Sequence, residues 1–98
     1  MNRNPLSILG LAQKAGLIIT GEDSIILGLQ KNKIKLVLVA SDASLKTIDK
    51  FKRKCYFYKV PCWCDYTADE LSSSIGKWRK LVALTDEGMV KTLEKYKR

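Results

Sequence analysis

The residues with the clearest chemical potential are Thr20-Gly21-Glu22-Asp23-Ser24. They follow an apolar run, Leu17-Ile18-Ile19, and Gly21 lets the backbone turn sharply into a helix whose first turn carries short polar side chains and free amide donors. Such an end attracts a phosphate or a base edge, because unpaired amides and the positive pole of the helix dipole both point outward. Taken alone, the same residues also read as an ordinary strand-to-helix connection in which Glu22 and Asp23 offset the dipole. The rest of the chain has to decide.

Other chemistries lose their usual groups. The chain has no histidine, which removes the commonest general base and the commonest metal ligand. No nucleophile motif such as G-x-S-x-G occurs, so only Lys or a carboxylate could serve a Ser or Cys as base, and no enzyme activity is expected. The three cysteines, Cys55, Cys62 and Cys64, are an odd number without an export signal, so reduced thiols are expected. Cys62 and Cys64, two apart on a strand, share a face, and Cys55 could supply a third thiolate. A closed structural zinc site wants four ligands, and neither spacing makes a zinc pattern, so burial is expected rather than ligation. Neither a metal nor another cofactor is implied.

Charge points to the partner class. Lys and Arg number 18 against 10 Asp and Glu, a net charge of +8 that favours polyanions, nucleic acid first and an anionic membrane surface second. No apolar run approaches the ~20 residues needed to span a bilayer, and the N-terminus lacks the apolar core of a signal peptide. A cytoplasmic protein is expected, outside the membrane. Its 98 residues are enough for one domain with its own core and too few for two.

The elements that must position these groups alternate along the chain. Asn4 and Pro5 read as N-cap and first residue of a helix in which Ile8, Leu11, Ala12 and Ala15 share a face and Gly16 ends the run. Residues 17–20 form a strand, and the Gly21 helix runs to about Asn32. Lys35-Leu36-Val37-Leu38-Val39-Ala40 is the near-continuous apolar run of a central strand buried on both faces. A third helix over about 45–58 sets Leu45, Ile48, Phe51 and Cys55 on its core side. Lys46, Lys50, Arg53 and Lys54 on its other side read as a solvated face rather than as a partner contact.

Residues 60–66 form the next strand, with Pro61 at its start or on a sheet edge. Thr67-Ala68-Asp69-Glu70 is a capping box for a short helix that buries Leu71 and Ile75 and closes at Gly76. Lys80-Leu81-Val82-Ala83-Leu84-Thr85 is a fourth strand. Asp86 caps a last helix that buries Met89, Val90 and Leu93 and ends in the cations of Lys95-Tyr96-Lys97-Arg98. Five helices and four strands joined in this way predict an α/β fold, a three-layer α-β-α sandwich with a small four-stranded mixed sheet and helices on both faces.

The succession Leu9-Gly10-Leu11-Ala12-Gln13-Lys14-Ala15-Gly16, then Gly21-Glu22-Asp23, then residues 35–44 with Ser41-Asp42-Ala43-Ser44, resembles the YlxQ-related bacterial branch of the kink-turn-binding ribosomal protein superfamily. So do Tyr58-Lys59-Val60-Pro61 and Ser74-Ile75-Gly76-Lys77, and the match covers essentially the whole chain in order. The resemblance implies RNA binding without catalysis. In that superfamily the helix opened by Gly21 lies against a sharply bent RNA, a Gly-x-Asn-Glu-x-x-Lys signature reads guanine edges, and a loop before the last strand supports an unstacked base. The partner it implies is structured RNA, ribosomal or kink-turn-containing, with the ribosome itself a possible setting.

Carried over by position, the signature Gly is Gly21, while Asp23, Ser24 and Leu27 stand at the Asn, Glu and Lys positions. An ionised Asp23 accepts but cannot donate, Ser24 reaches less far than Glu, and Leu27 can do neither. Leu27 also falls opposite Ile25, Ile26 and Leu29 on the wheel and is expected at the surface. The loop Gly76-Lys77-Trp78-Arg79-Lys80 brings three cations and a large ring to the place where the family supports the unstacked base. Trp78 could equally cover the sheet edge. Lys14, Lys31, Lys33 and Lys35, near the same helix or its end, are candidates for phosphate contacts. The expected RNA site thus comprises Lys14, Gly21, Glu22, Asp23, Ser24, Leu27, Lys31, Lys77, Trp78 and Arg79. The competing expectation is a protein-interaction module on the same fold, with exposed Leu27 at its interface. Oligomeric state is left open by the sequence.

Overall fold

Local chemistry accounts for each helix end in the computed structural model, which describes residues 4–97. Helix α1 (Pro5–Lys14) opens as its first two residues require: the Asn4 side chain accepts from the Ser7 N–H at 3.0 Å, and Pro5 sits where no amide is needed. Strand β1 (Ile18–Thr20) leads through Gly21 into α2 (Glu22–Gln30). Strand β2 (Leu36–Val39) is buried at all four positions, and α3 (Leu45–Tyr58) begins at Ser44, whose hydroxyl accepts from the Thr47 N–H. The remaining elements are β3 (Cys62–Trp63), α4 (Ala68–Ile75), β4 (Leu81–Leu84) and α5 (Glu87–Tyr96), the last capped by Asp86.

The sheet runs in the order β1-β4-β2-β3. β4 is antiparallel to both neighbours, with Thr20 opposite Val82 and Val39 opposite Leu81, while β2 and β3 are parallel. Helices α2 and α3 pack together on one face, and α1, α4 and α5 on the other, so the three-layer sandwich expected from the sequence is the observed one. Its core is a single cluster built on the two fully buried strands, with Leu9, Ile25, Leu29, Phe51, Leu71 and Leu93 from the five helices. At roughly 1.5–3 kcal/mol for each large side chain withdrawn from water, these helix anchors hold both outer layers to the sheet.

Several expectations are corrected in detail. Leu11 and Ala15 are exposed, and Leu9 takes the place expected for them, because the buried arc of α1 is centred between Ile8 and Leu9. At about 100° per residue, Leu11 falls more than a quarter-turn from the centre of that arc. Leu45 is exposed as well, since at about 100° per residue it falls more than a quarter-turn from the face that Phe51 and Cys55 share. α2 ends at Gln30 rather than at Asn32, with Lys31 as its C-cap. β3 has only two paired residues where seven were expected from 60 to 66. It is an edge strand whose contribution begins with the Pro61 carbonyl, which accepts from the Val37 N–H at 3.0 Å. Met89 is half-buried rather than fully buried, and Arg98, expected among the cations of the last helix, lies outside the described residues.

Candidate nucleic-acid interface

Gly21 makes the turn into α2 with φ +93° and ψ 139°, a backbone region that side chains rarely tolerate. A glycine at this cap also means that no side chain closes the helix end. The Ile25 N–H is the first to find a helical acceptor, the Gly21 carbonyl at 3.0 Å, and the amides of Glu22, Asp23 and Ser24 have none among the described residues. Asp23 and Ser24 are exposed beside these donors, whereas Glu22 is turned sideways into an ion pair with Lys50 of α3. The carboxylate nearest the helix opening is thereby neutralised, and α2 is tied to α3 at the level of its first residue.

The loop over residues 76–80 is brought to the same end of the sheet by hydrogen bonds. Ser72, the one buried polar residue in the described core, donates its hydroxyl to the Arg79 carbonyl at 3.1 Å and accepts from the Arg79 N–H at 2.8 Å. The Arg79 guanidinium then reaches across: Nε donates to Thr20 Oγ1 at 3.3 Å and Nη1 to the Trp78 carbonyl at 2.6 Å. Thr20 immediately precedes Gly21, so a cationic loop stands against the opening of α2. Trp78 is 57% exposed, so much of this large residue stands in solvent. Lys77 and Lys80 are exposed beside it.

Leu27 is 49% exposed one turn along α2. It lines a shallow recess of about 330 Å³ with Ser24 and Lys31 above and below it and Lys33 alongside. Lys31 therefore shares a face with the α2 opening, although it sits at the other end of the helix. Lys14 does not join the cluster: it closes α1 where the chain enters β1, the end of that strand opposite Gly21. Lys35 likewise lies at the far end of the sheet, its N–H donating to the Leu84 carbonyl.

No family model matches the chain. It is 41% identical over 86 residues to RNA-binding protein YlxQ of Enterococcus faecium, covering 88% of this chain and 84% of that protein. It is also 41% identical over 87 residues to RNA-binding protein YlxQ of Bacillus subtilis (strain 168), covering 88% and 87%. The chain belongs to the YlxQ family. Both YlxQ relatives are named for binding RNA and not for a catalysed reaction, which agrees with the expectation of no enzyme activity. A protein with unknown function from Bacillus halodurans C superposes with a TM-score of 0.91 at 31% identity, covering 97% of each chain. The Giardia lamblia 15.5kD RNA binding protein has a TM-score of 0.78 over 93% of this chain and 79% of its own. At 14% identity this second likeness shows that the two chains share a fold.

Two positioning roles escaped the sequence reading, that of Thr20 as the acceptor for Arg79 and that of Ser72. Ser72 carried a usable signal: it is a hydroxyl between Leu71 and Ile75 on the apolar side of a helix, where a buried polar group must find a partner. Thr20 carried none, since its acceptor role depends on β4 pairing beside β1.

The cysteines gather elsewhere, at the end of α3 and along β3. Cys55 is buried, and Cys62 and Cys64 are half-buried and free. A hydrogen bond between Cys62 and Cys55 lowers the Cys55 thiol and raises that of Cys62. Burial and then the neighbouring Cys62 push Cys64 upward. Among the described residues no group of three or more His, Cys, Asp or Glu is arranged to hold a metal ion, and no helix is long and apolar enough to cross a membrane.

Proposed function

We propose that the chain is a single RNA-binding domain that recognises structured, kink-turn-like RNA in a ribosomal or translational setting. The observation that carries this reading is the Arg79 to Thr20 contact, which sets the loop of Lys77, Trp78 and Arg79 against the uncapped start of α2. Three free amides there suit a phosphate or a base edge, and an exposed ring among cations suits an unstacked base. The net charge of +8 and the names of the YlxQ relatives support the same partner class.

Asp23, Ser24 and Leu27 define what such a site does with bases. Asp23 accepts from guanine N–H groups but brings charge toward phosphates, Ser24 makes one short contact, and Leu27 offers only apolar surface. The expected mode is phosphate-dominated binding with weak guanine readout. Equilibrium binding to a kink-turn RNA and to an unkinked duplex of equal length, each at several salt concentrations, tests it. About four phosphate contacts give a log-log salt slope near −3, and a flat response removes RNA as the main partner. Asp23→Asn, Ser24→Glu and Leu27→Lys together widen the preference for the kinked RNA. If that margin stays unchanged in a folded variant, the α2 opening does not face RNA, and exposed Leu27 instead belongs to a protein interface.

A further inference from the structure

The second half of α3 carries charge and aromatic surface that the α2 opening does not use. From Lys50 onward the helix and its cap hold Lys50, Lys52, Arg53, Lys54 and Lys59 without one acidic residue. Of these, only Lys50 is ion-paired among the described residues. Between them stand Tyr56 and Phe57, 86% and 74% exposed. Two such rings at the surface cover no core, and Phe57 is held in attitude by a T-shaped contact with Tyr58, centroids 4.9 Å apart. Lys52, Arg53, Tyr56, Phe57 and Lys59 enclose a shallow recess of about 700 Å³. Its place in the fold matters. Lys50 is bonded to Glu22, the first residue of α2, and Phe57 lies two turns farther along α3, about 10 Å by the helical rise.

We propose that this recess is a second RNA contact, which takes a single-stranded segment flanking the structured element at Gly21. Unpaired bases stack on Tyr56 and Phe57, and Lys52, Arg53 and Lys59 meet the phosphates. The inference rests on the RNA-binding reading above. Uncompensated cations commit the surface to a polyanion, and exposed rings among them select unpaired bases, since a duplex hides its base faces. An anionic lipid surface is served less well, because the helix turns Phe51 and Cys55 into the core and keeps no aliphatic face for a membrane.

The test compares one kink-turn hairpin with blunt ends and the same hairpin carrying uridine tails of about ten nucleotides, a length within the usual site sizes for single strands. The tails tighten binding to the unaltered protein by roughly tenfold or more, the effect of stacking one to two bases. Tyr56→Ala with Phe57→Ala abolishes that gain and leaves both the affinity for the blunt hairpin and the thermal midpoint unchanged. Lys52→Gln, Arg53→Gln and Lys59→Gln together flatten the salt slope of the tail's contribution by about two units. Tails that add nothing, or a gain that survives loss of both rings, overturn the inference. Failure of the blunt hairpin to outcompete a plain duplex defeats the kink-turn reading instead, and binding of a free uridine oligonucleotide then judges the recess alone. Binding to phosphatidylserine vesicles that needs Tyr56 and Phe57, without binding to uridine, assigns the recess to a membrane and overturns the proposal.

Discussion

Two helices in this molecule begin in opposite ways. α4 is closed: Thr67 Oγ1 accepts from the Glu70 N–H at 3.2 Å, the Glu70 carboxylate accepts from the Thr67 N–H at 2.9 Å, and Asp42 accepts from the Ala68 N–H at 2.9 Å. α2 begins on a glycine with no side-chain cap, and its first three amides are left to solvent or to a partner. The two helices are also linked, because the loop that leaves the opposite end of α4, past its C-cap Gly76, carries Arg79 to Thr20, beside Gly21. Glycine at an N-cap costs only roughly a few tenths of a kcal/mol against a capping side chain, so α2 stays open at little expense in stability. The difference separates an end built for the fold from one that, on the reading proposed above, is left open for RNA.

The largest effect is expected from breaking the open end. Gly21→Ala places a Cβ on a backbone at φ +93°, at a cost of about 1–3 kcal/mol, although nothing stands within 4 Å to clash with it. Thermal unfolding should show a drop of several degrees, and gel-shift titration a loss of RNA affinity as the first turn of α2 shifts. If Gly21→Ala leaves both unchanged, the turn relaxes freely and the geometry of the α2 opening does not matter.

Breaking the closed end should separate stability from binding. Thr67→Ala removes the hydroxyl half of the capping box and should lower stability by about 1 kcal/mol, roughly 4–8 °C in the midpoint for a domain of this size. RNA affinity measured well below that midpoint should stay within twofold of the unaltered protein. A parallel loss of affinity would mean that α4 contributes to the RNA site directly, and the contrast between the two helix ends would fail.

Much of this contrast was legible in the sequence because it is local. Asn4, Ser44, Thr67 and Asp86 all cap as their types and spacing require, and α3 begins and ends where its periodicity does. The Gly21 opening, the exposure of Leu27 and the burial of the 36–39 run were readable for the same reason. Sheet order was not, since β4 enters between β1 and β2 from far along the chain, and no local signal specifies which edges pair. The Thr20 to Arg79 contact depends on that insertion, its partners standing 59 positions apart in the sequence. The exposed face of α3 was legible only in part. Its lysines alone read as a solvated surface, and only the structure places Tyr56 and Phe57 outside among them rather than in the core.

The finest division of the comparison lies at Thr20, where the open end of α2 is fastened to the loop that leaves the C-terminal end of α4. Thr20→Val keeps the β-branched shape that suits β1 and removes only the oxygen that accepts from Arg79 Nε. The bond is long at 3.3 Å and solvent-exposed, so its loss should change stability by less than about half a kcal/mol. The backbone of Arg79 remains fixed by its two bonds to Ser72, so the loop keeps its path, and the guanidinium loses its tie to β1 and keeps only its bond to the Trp78 carbonyl. A side chain that must be reordered on binding costs about 0.5–1.5 kcal/mol, which corresponds to a loss of affinity of roughly two- to tenfold. The salt slope should stay the same, because no charge has been removed. Arg79→Gln, by contrast, should flatten that slope by about one unit. Equal slopes for the two variants would mean that Arg79 meets no phosphate and serves only to brace Thr20, leaving Lys77 and Trp78 as the loop's contribution to binding.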